Sequence, residues 1–313
     1  MAKYLVTGGA GFIGSNIVEE LVRRGESVRV LDDFSTGRRE NLESINGSEF
    51  VEGSITDMNT CEAVCDGIDY VLHQAALPSV PRSLKDPVRS NIVNVTGTVN
   101  MLWAAHNAGV KRFIFATSSS VYGNTPILPK IETMTTIPLS PYAVSKLTGE
   151  HYCRVFYKCF GLETVSLRYF NVYGPRQDPN SQYGAVIPVF CKSLLAGEKP
   201  HIYGDGGQTR DFTYVADAVQ ANLNACTAPS ACAGKVFNIA AGGRTSVIDL
   251  LHQIRALLSA DDIEPIFSDV RQGDVRDSFA DITLAKELIG YEPKYDTRRG
   301  LAEAIEYYKR VCR

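Results

Sequence analysis

The sequence predicts an α/β protein in which a doubly wound parallel sheet is followed by a smaller α/β lobe. Strand-like and helix-like segments alternate through the first half of the chain, as they do when helices cover both faces of a parallel sheet. After Tyr169 this alternation ends and proline and glycine become frequent, which indicates a second lobe. We therefore expect one domain over residues 1–170 and another over 171–313, with segments around 210–240 returning to the first.

The hydrophobic pattern places the individual elements. Short apolar runs predict strands at about 3–7, 27–31, 49–51, 69–72, 111–116 and 162–168. Longer runs with helical spacing predict helices at about 12–24, 86–108 and 141–159. In the second lobe, helices are expected near 184–196, 215–226, 246–259 and 297–310.

Composition excludes several classes of protein. The 313 residues carry a net charge of −3, so the chain lacks the basic excess of a nucleic-acid-binding protein. No apolar run approaches the ~20 residues that span a bilayer, and the N-terminus lacks the pattern of a secretory signal. Cys61 and Cys65 stand one helical turn apart, but the eight cysteines form no CxxC pair, so we interpret them as reduced, mostly buried thiols. These features predict a cytoplasmic enzyme without a metal.

A glycine-rich segment, TGGAGFIG, follows the first strand at residues 7–14. Gly8 permits a tight turn, Gly11 lets a pyrophosphate approach the backbone, and Gly14 lets the helix pack close to the strand. The N-terminus of that helix would face the phosphates with free N–H groups. In this strand–turn–helix context we predict a dinucleotide site rather than an ordinary glycine turn.

The second strand ends in Asp32, where a carboxylate can accept both ribose hydroxyls of adenosine. A carboxylate there would repel a 2′-phosphate, which favours NAD over NADP. Arg38 and Arg39 leave NADP open, because nearby arginines can accept that phosphate. A simple turn residue is the other interpretation of Asp32.

A YxxxK pair, Tyr142 and Lys146, would share one face of a helix. The unperturbed pKa of tyrosine is about 10, and a neighbouring ammonium together with an oxidised nicotinamide would lower it. Tyr142 could then act as a general base on a substrate hydroxyl, while Lys146 holds the nicotinamide ribose. Ser118 follows a predicted strand, at the edge where open α/β sheets place their chemistry. Taken alone, the pair could equally be an exposed Tyr/Lys face.

Five motifs resemble the extended short-chain dehydrogenase/reductase family: TGGAGFIG, TSSSVYG, YAVSK, RYFNVYGPRQ and RDFTYVADA. Within it the chain is most similar to the 4-epimerases of UDP-glucose and UDP-N-acetylglucosamine. The resemblance implies a Rossmann-type sheet that holds NAD and a C-terminal lobe that grips UDP. It also implies a homodimer, and reversible inversion at C4 of a UDP-hexose through a 4-keto intermediate.

The resemblance implies the site residues as well. Those implied for catalysis are Ser118, Tyr142 and Lys146. Those implied for the cofactor are Gly8, Gly11, Phe12, Ile13, Gly14, Asp32, Asp33, Ser35, Thr36, Gly37, Ser54, Ile55, Gln74, Ala75, Ala76, Asn94, Tyr142, Lys146 and Tyr169. Those implied for the substrate are Ser118, Ser119, Tyr142, Asn171, Ala185, Val186, Tyr203, Arg210, Arg271, Asp274 and Ser278. Ser54 replaces an aspartate usual in the family, which indicates weaker adenine binding. For Arg210 and Arg271, a surface ion pair stays an alternative.

Three positions separate the reactions of the family. Ser119 and Ser120 replace the acidic residues of related dehydratases and decarboxylases, which disfavours dehydration. Asp178 stands where uronic-acid epimerases have an arginine, and Asn171 where they have a threonine; a carboxylate would repel a sugar carboxylate. Ser278 replaces the bulky tyrosine of epimerases restricted to glucose and galactose, leaving room for an acetamido group. We therefore expect UDP-GlcNAc and UDP-GalNAc as substrates, with UDP-Glc and UDP-Gal also accepted.

Two other functions stay open. One is a nucleotide-sugar dehydratase or other net oxidoreductase, which would release keto products or consume free NAD. The other is a non-catalytic NAD-binding sensor, although such members usually lose the tyrosine or the lysine, and both are present here. His73 is expected to pack behind the sheet rather than to act in catalysis.

Overall fold

The structure, a computed structural model, describes residues 1–180, 185–270 and 276–312. The strands are β1 (Lys3–Thr7), β2 (Ser27–Asp32), β3 (Ser48–Glu52), β4 (Tyr70–His73), β5 (Arg112–Ser118), β6 (Glu163–Tyr169), β7 (Val172–Tyr173), β8 (His201–Tyr203), β9 (Thr209–Arg210), β10 (Thr213–Tyr214), β11 (Lys235–Ile239), β12 (Thr245–Ser246) and β13 (Ile266–Ser268). The helices are α1 (Phe12–Arg23), α2 (Met58–Cys65), α3 (Val80–Lys85), α4 (Pro87–Asn91), α5 (Gly97–Asn107), α6 (Pro141–Phe160), α7 (Val186–Leu195), α8 (Val215–Thr227), α9 (Val247–Leu258), α10 (Thr283–Ile289) and α11 (Thr297–Val311).

Seven strands form one parallel sheet in the order β11-β6-β5-β4-β1-β2-β3. Helices α1 and α8 pack on one face, and α2, α5 and α6 pack on the other. Successive residues of β5 alternate between the two cores, with Ile114 in one and Phe113 and Phe115 in the other. Burial on both faces is what a doubly wound sheet requires, so the predicted fold class is confirmed.

The predicted helix over 86–108 is divided into three parts. Helix α4 leads into a π-helical segment, Ile92–Thr96, and α5 continues from Gly97. Such π segments arise where one extra residue is accommodated in a helix, often beside a functional site. Here the wide turn contains Asn94, which is buried and faces the loop after β4.

Three helices and one strand of the seven-stranded sheet were not expected from the pattern. Helices α2, α3 and α10 are short, and β11 joins the sheet by pairing with β6 across a long sequence separation. Strand β11 and helix α8 both pack with the seven-stranded sheet. The division into two domains at residue 170 stays a prediction.

Beyond β6, a third hydrophobic core forms among α7, α9 and α11, around buried side chains such as Tyr173, Phe190 and Tyr308. Short strand pairs, β7 with β10 and β8 with β13, connect these helices. Among the described residues, no helix combines the length and the apolar character that crossing a membrane needs.

Candidate active site

The turn between β1 and α1 forms a cradle in which two of the three motif glycines, Gly8 and Gly14, leave no room for a side chain. Gly8 has a φ of +68°, and a Cβ there would lie 2.7 Å from the Cα of Ala75. A Cβ on Gly14 would overlap the carbonyl oxygen of Gly8 and lie 2.8 Å from the Cα of Gly9. A Cβ on Gly11 would meet only the Gly8 oxygen, at 3.1 Å, so this glycine faces open space. The cradle therefore admits close approach of a ligand at the N-terminus of α1.

Asp32 lies beside this cradle at the end of β2. One carboxylate oxygen accepts from the Ala10 N–H at 2.9 Å and the other from the Phe34 N–H at 2.8 Å. Burial raises the pKa of Asp32, and these N–H donors oppose the rise. The carboxylate is thus held rigidly by the backbone, with oxygen lone pairs left for ribose hydroxyls.

The two arginines that left NADP open are both engaged. Arg38 forms an ion pair with Asp178, with Nη2 and Oδ1 2.8 Å apart. Arg39 pairs with Glu52 at 2.6 Å, and its guanidinium lies 4.0 Å from the ring centroid of Phe34. Because both cations already have anionic partners, the structure favours NAD over NADP.

A cavity of about 440 Å³ joins the glycine cradle to α6. The predicted cofactor residues that line it are Gly8, Gly11, Phe12, Ile13, Gly14, Asp32, Asp33, Ser35, Thr36, Ile55, Gln74, Ala75, Ala76, Tyr142 and Lys146. Sequence reasoning missed several lining residues, among them Ser79, Arg82, Arg176 and Gln177. Arg176 and Gln177 belong to the quoted motif RYFNVYGPRQ, which was the available signal; residues 78–82, at the start of α3, carried none.

Four predicted cofactor residues do not line this cavity. Asn94 lies behind its wall, where its amide exchanges hydrogen bonds with the backbone of Leu77 and donates to Ser145 Oγ. Tyr169 also lies behind, donating its hydroxyl hydrogen to Gln74 Oε1 at 3.1 Å. Ser54 hydrogen bonds with Thr56, and Gly37 packs close to Asp32. Tyr169 therefore orients the lining residue Gln74 directly, whereas Asn94 fixes the backbone at Leu77, between the lining residues Ala76 and Pro78.

Helix α6 carries the YxxxK pair. The Ser140 hydroxyl caps its N-terminus by accepting from the Ala143 N–H at 3.1 Å, and Pro141 occupies the first turn. This start places Tyr142 and Lys146 on the face toward β5. Lys146 Nζ donates to the carbonyl oxygen of Ala116 at 2.8 Å, near the carboxyl end of that strand.

Ser118, the last residue of β5, hydrogen bonds with Tyr142. Its hydroxyl oxygen also accepts from the Ser120 N–H at 3.2 Å and so starts the 3₁₀ turn Ser119–Tyr122. The structure therefore brings Ser118, Tyr142 and Lys146 together at the sheet edge. Neither Ser118 nor Ser119 is among the residues that line the 440 Å³ cavity or a second cavity, of about 260 Å³, that adjoins it; Ser119 lies in the 3₁₀ turn.

The sequence predicts a lowered pKa for Tyr142, but the groups of the protein itself raise it. Burial raises the pKa of Tyr142 to about 12, and the hydrogen bond with Ser118 only partly opposes this. Burial also lowers the pKa of Lys146 to about 8. Desolvation disfavours both charged forms, and the ammonium of Lys146, whose Nζ lies 5.9 Å from the Tyr142 ring centroid, does not outweigh this effect on Tyr142. The prediction also relied on the positive charge of an oxidised nicotinamide, which would lower the pKa of Tyr142 separately from the protein's own groups.

His73 is fully buried and packs behind the sheet, as expected. Its two ring nitrogens hydrogen bond with Thr7 Oγ1 at 2.7 Å and with Thr98 Oγ1 at 3.1 Å. Burial lowers the pKa of His73 to about 3, so the ring is neutral at ordinary pH. A neutral ring with both nitrogens engaged has a structural role.

The second cavity, of about 260 Å³, shares Ala185 with the first. The predicted substrate residues that line it are Asn171, Ala185, Val186, Tyr203 and Arg210. Lining residues that were not predicted include His201, Gln208 and Phe212. Asn171 adopts a positive φ of 37° and donates to the Asp211 carbonyl at 3.0 Å, which fixes the turn after β6.

Among the other predicted substrate residues, the structure describes some and not others. Ser278 does not line the cavity, but its N–H donates to the Thr209 carbonyl at 3.1 Å, next to Arg210 in sequence. Arg271 and Asp274 lie outside the described residues. Arg210 lines the cavity. Its Nη1 donates to the carbonyl oxygens of Thr209, at 2.9 Å, and Arg276, at 3.1 Å, so backbone groups hold its guanidinium in place.

Asp178 requires a correction. The sequence predicts that its carboxylate repels a sugar carboxylate, but the structure places it on the cofactor cavity, paired with Arg38. Asp178 therefore lies beside the cofactor cradle with a cation as its partner, and it does not line the second cavity.

Comparison with known proteins connects this geometry to a family. The sequence profile of the NAD dependent epimerase/dehydratase family matches residues 4–240. A UDP-glucose 4-epimerase of Mycolicibacterium smegmatis is 40% identical over 312 residues, covering 98% of each chain. The structure of a Thermotoga maritima UDP-glucose 4-epimerase with UDP-glucose is similar with a TM-score of 0.94 and 39% identity, over 99% of this chain and 100% of that one. A Methanobrevibacter ruminantium UDP-N-acetylglucosamine 4-epimerase, in complex with UDP-N-acetylmuramic acid, also gives 0.94, with 38% identity over 99% of both chains.

Proposed function

The chain belongs to the NAD dependent epimerase/dehydratase family, and on that premise we propose that it interconverts the C4 epimers of a UDP-hexose. We propose UDP-GlcNAc and UDP-GalNAc as the main pair, with UDP-Glc and UDP-Gal also accepted. The observation that carries the proposal is the meeting of Ser118, Tyr142 and Lys146 at the sheet edge, with Tyr142 and Lys146 lining the same cavity as the glycine cradle. A second cavity adjoins the first at Ala185.

The residues of the first cavity fit NAD. The first-turn N–H groups of α1 suit a pyrophosphate, and Gly11, whose added Cβ would meet only the Gly8 oxygen, lets that group approach the backbone. Asp32 is held where ribose hydroxyls need an acceptor. When bound, NAD supplies a reversible hydride acceptor for C4 of the sugar, so that a 4-keto sugar lies between the two epimers.

Tyr142 would move the proton. Its phenolate takes the proton of the C4 hydroxyl when the sugar is oxidised, and the hydroxyl formed in this way returns the proton when the sugar is reduced. Ser118 bridges Tyr142 and the reacting oxygen, which keeps the two oxygens within hydrogen-bond distance. The ammonium of Lys146, held by the Ala116 carbonyl, favours the phenolate electrostatically.

The second cavity would anchor UDP while the sugar turns over. Arg210 supplies a cation for the pyrophosphate, and Tyr203 an aromatic face for the uracil. Arg271 and Asp274 are proposed for the pyrophosphate and the uridine ribose on the strength of the sequence resemblance alone. Binding energy in the nucleotide keeps the keto sugar in the site, so that only the hexose has to rotate.

Substrate range is proposed from Ser278. Its backbone is tied to Thr209, directly before Arg210, so its small side chain stands close to the proposed pyrophosphate ligand. A serine there leaves space for a 2-acetamido group that a tyrosine would occupy.

We also propose a homodimer. Apolar side chains stand exposed along α3, α4, α5 and α6, which lie side by side; these include Leu84, Val88, Val144, Trp103 and Val155, with exposed fractions of 64, 68, 49, 41 and 47%. A contiguous apolar face of this kind is typical of a protein–protein interface, and a second copy would cover it. Location in the cytoplasm stays a prediction.

Conversion assays test the reaction and the substrate together. Purified protein, without added NAD, would be incubated with UDP-GlcNAc, UDP-Glc and UDP-glucuronic acid, and the products followed by NMR. We expect UDP-GalNAc and UDP-Gal. Reaction of UDP-Glc alone would contradict the inference from Ser278. A keto product, or consumption of NAD in a parallel incubation that contains it, would indicate a dehydratase or net oxidoreductase instead. NAD binding without any reaction would favour the sensor.

A further inference from the structure

Glu150 and Arg168 form a buried ion pair next to the YxxxK pair. Glu150 stands one helical turn after Lys146 on α6, so both point to the same face. Its Oε1 accepts from Thr117 Oγ1 at 2.7 Å and from Arg168 Nε at 2.9 Å, and its Oε2 accepts from Arg168 Nη2 at 2.7 Å. The side chains of Arg168 and Glu150 are 5% and 4% exposed.

This carboxylate joins the three elements that carry the site. Thr117 precedes Ser118 at the end of β5, Arg168 precedes Tyr169 at the end of β6, and Glu150 itself belongs to α6. Hydrogen bonds to both strands fix the helix against the sheet edge at the level of Ser118. Removing them would let α6 shift relative to β5.

We propose that Glu150 is a positioning residue, which locks α6 to β5 and β6 and supplies the buried anion that supports the ammonium form of Lys146. The inference depends on the role given to Lys146 under the proposed function. Glu150 is not placed in contact with substrate or cofactor, and it acts through Lys146 and Ser118.

The charges around Lys146 single out Glu150. On α6 itself the titratable neighbours are Tyr142, Glu150 and Cys153; β4 contributes His73, and β6 contributes Arg168 behind Glu150. Burial raises the pKa of Cys153 to about 12 and lowers that of His73 to about 3, so both are neutral near pH 7. Against the burial that lowers the pKa of Lys146 to about 8, Glu150 is therefore the neighbour that contributes negative charge.

A matched control exists at the opposite ends of the same strands. Arg112, the first residue of β5, donates through Nε to Glu163 Oε2 at 2.9 Å, and Glu163 is the first residue of β6. This pair also joins β5 to β6 but lies far from Lys146 along both strands. Glu163→Gln therefore reproduces the loss of a strand-linking charge without touching the site.

The experiment compares Glu150→Gln and Glu163→Gln in the full-length protein. The titration of Lys146 would be followed by NMR of ¹³C-labelled lysine, assigned with Lys146→Met, together with the pH profile of kcat, KM and bound NAD. In Glu150→Gln we expect the Lys146 titration and the alkaline limb of kcat to move down by about one pH unit. At pH 8 we expect kcat to fall about fivefold, because the ammonium fraction of Lys146 drops from about one half to about one tenth, with NAD content retained. In Glu163→Gln both titrations should match the wild type.

A second variant keeps the inference open to refutation if Glu150→Gln does not fold. Glu150→Leu/Arg168→Met replaces both charges by apolar side chains of similar size, a change that buried pairs often tolerate, and the Lys146 titration should still move down. A folded variant of either kind whose Lys146 titration and pH profile equal the wild type overturns the inference. If the wild type itself converts no UDP-sugar, the proposed function fails instead, while the NMR titration still tests the charge on Lys146.

Discussion

Gly149 offers a test of how closely α6 must approach β5. It lies between Lys146 and Glu150, and a Cβ there would overlap Cζ of the Phe115 ring and lie 2.7 Å from Cε1. Carbon atoms normally pack at about 3.5–4.0 Å, so Gly149→Ala requires the ring or the helix to move by about 1 Å. A shift of about 1 Å would break hydrogen bonds that now measure 2.8 Å, from Lys146 to Ala116, and 2.7 Å, from Thr117 to Glu150.

The energetic and catalytic effects of Gly149→Ala should separate. Overpacking costs about 1–3 kcal/mol, and replacing glycine by alanine inside a helix returns about 1 kcal/mol. We therefore expect a loss of about 1 kcal/mol in the free energy of unfolding, measured by urea titration. Displacement of a catalytic group by about 1 Å can cost about 100-fold in rate, so kcat should fall much more than stability.

Two further variants make this outcome interpretable. Phe115→Leu removes the ring that the new methyl group meets, so Gly149→Ala/Phe115→Leu should recover at least about tenfold in kcat over Gly149→Ala. A Cβ on Gly243 would meet no atom of the described residues within 4 Å, so Gly243→Ala should be close to wild type. Wild-type kcat in Gly149→Ala, with no gain in the double variant, would refute the close-approach reasoning.

Three other changes probe separate parts of the account. Tyr142→Phe should lower kcat by about 100-fold or more without changing UDP affinity or the melting temperature; full turnover would remove Tyr142 as the proton carrier. Ser278→Tyr should reduce kcat/KM for UDP-GlcNAc by about tenfold or more while leaving UDP-Glc little changed, and an unchanged preference would exclude Ser278 as the selector. For His73, the folded pKa of about 3 lies below the unfolded value, so the stability it provides is complete above about pH 6.5 and is lost as the pH falls toward 3. Wild type should therefore lose about 2 kcal/mol more than His73→Gln between pH 7 and pH 5 in urea unfolding, and equal losses would contradict a buried neutral ring.

The sheet was predictable because its strands and helices are marked by local patterns. The β1–α1 turn is an example, since its three glycines and the apolar run of α1 are contiguous in sequence. Strand β11 was missed because it is defined by pairing with β6, whose residues lie far away in the chain. Helix α2 was also missed, although Asp57 supplies a recognisable N-cap for it by accepting from the Asn59 N–H.

Within the candidate site, residue types were easier to predict than their electrostatics. Tyr142, Lys146 and Ser118 follow from one helix and the strand before it. The pKa of Tyr142 could not be predicted, because its direction depends on burial by surrounding elements. The partner of Arg38 is Asp178, which is 140 residues away in the numbering of the chain (178 − 38), and no local pattern indicates that contact. The π segment at Asn94 is likewise a product of packing.

The central claim is that hydride leaves C4 and returns to the same carbon while the nucleotide stays bound. Its most direct test is incubation of the protein, without added NAD, with UDP-GlcNAc that carries deuterium at C4, in ordinary water. The account predicts UDP-GalNAc that retains deuterium at C4, seen by NMR and mass spectrometry. UDP-GalNAc in which the C4 deuterium has been replaced by solvent hydrogen would contradict it.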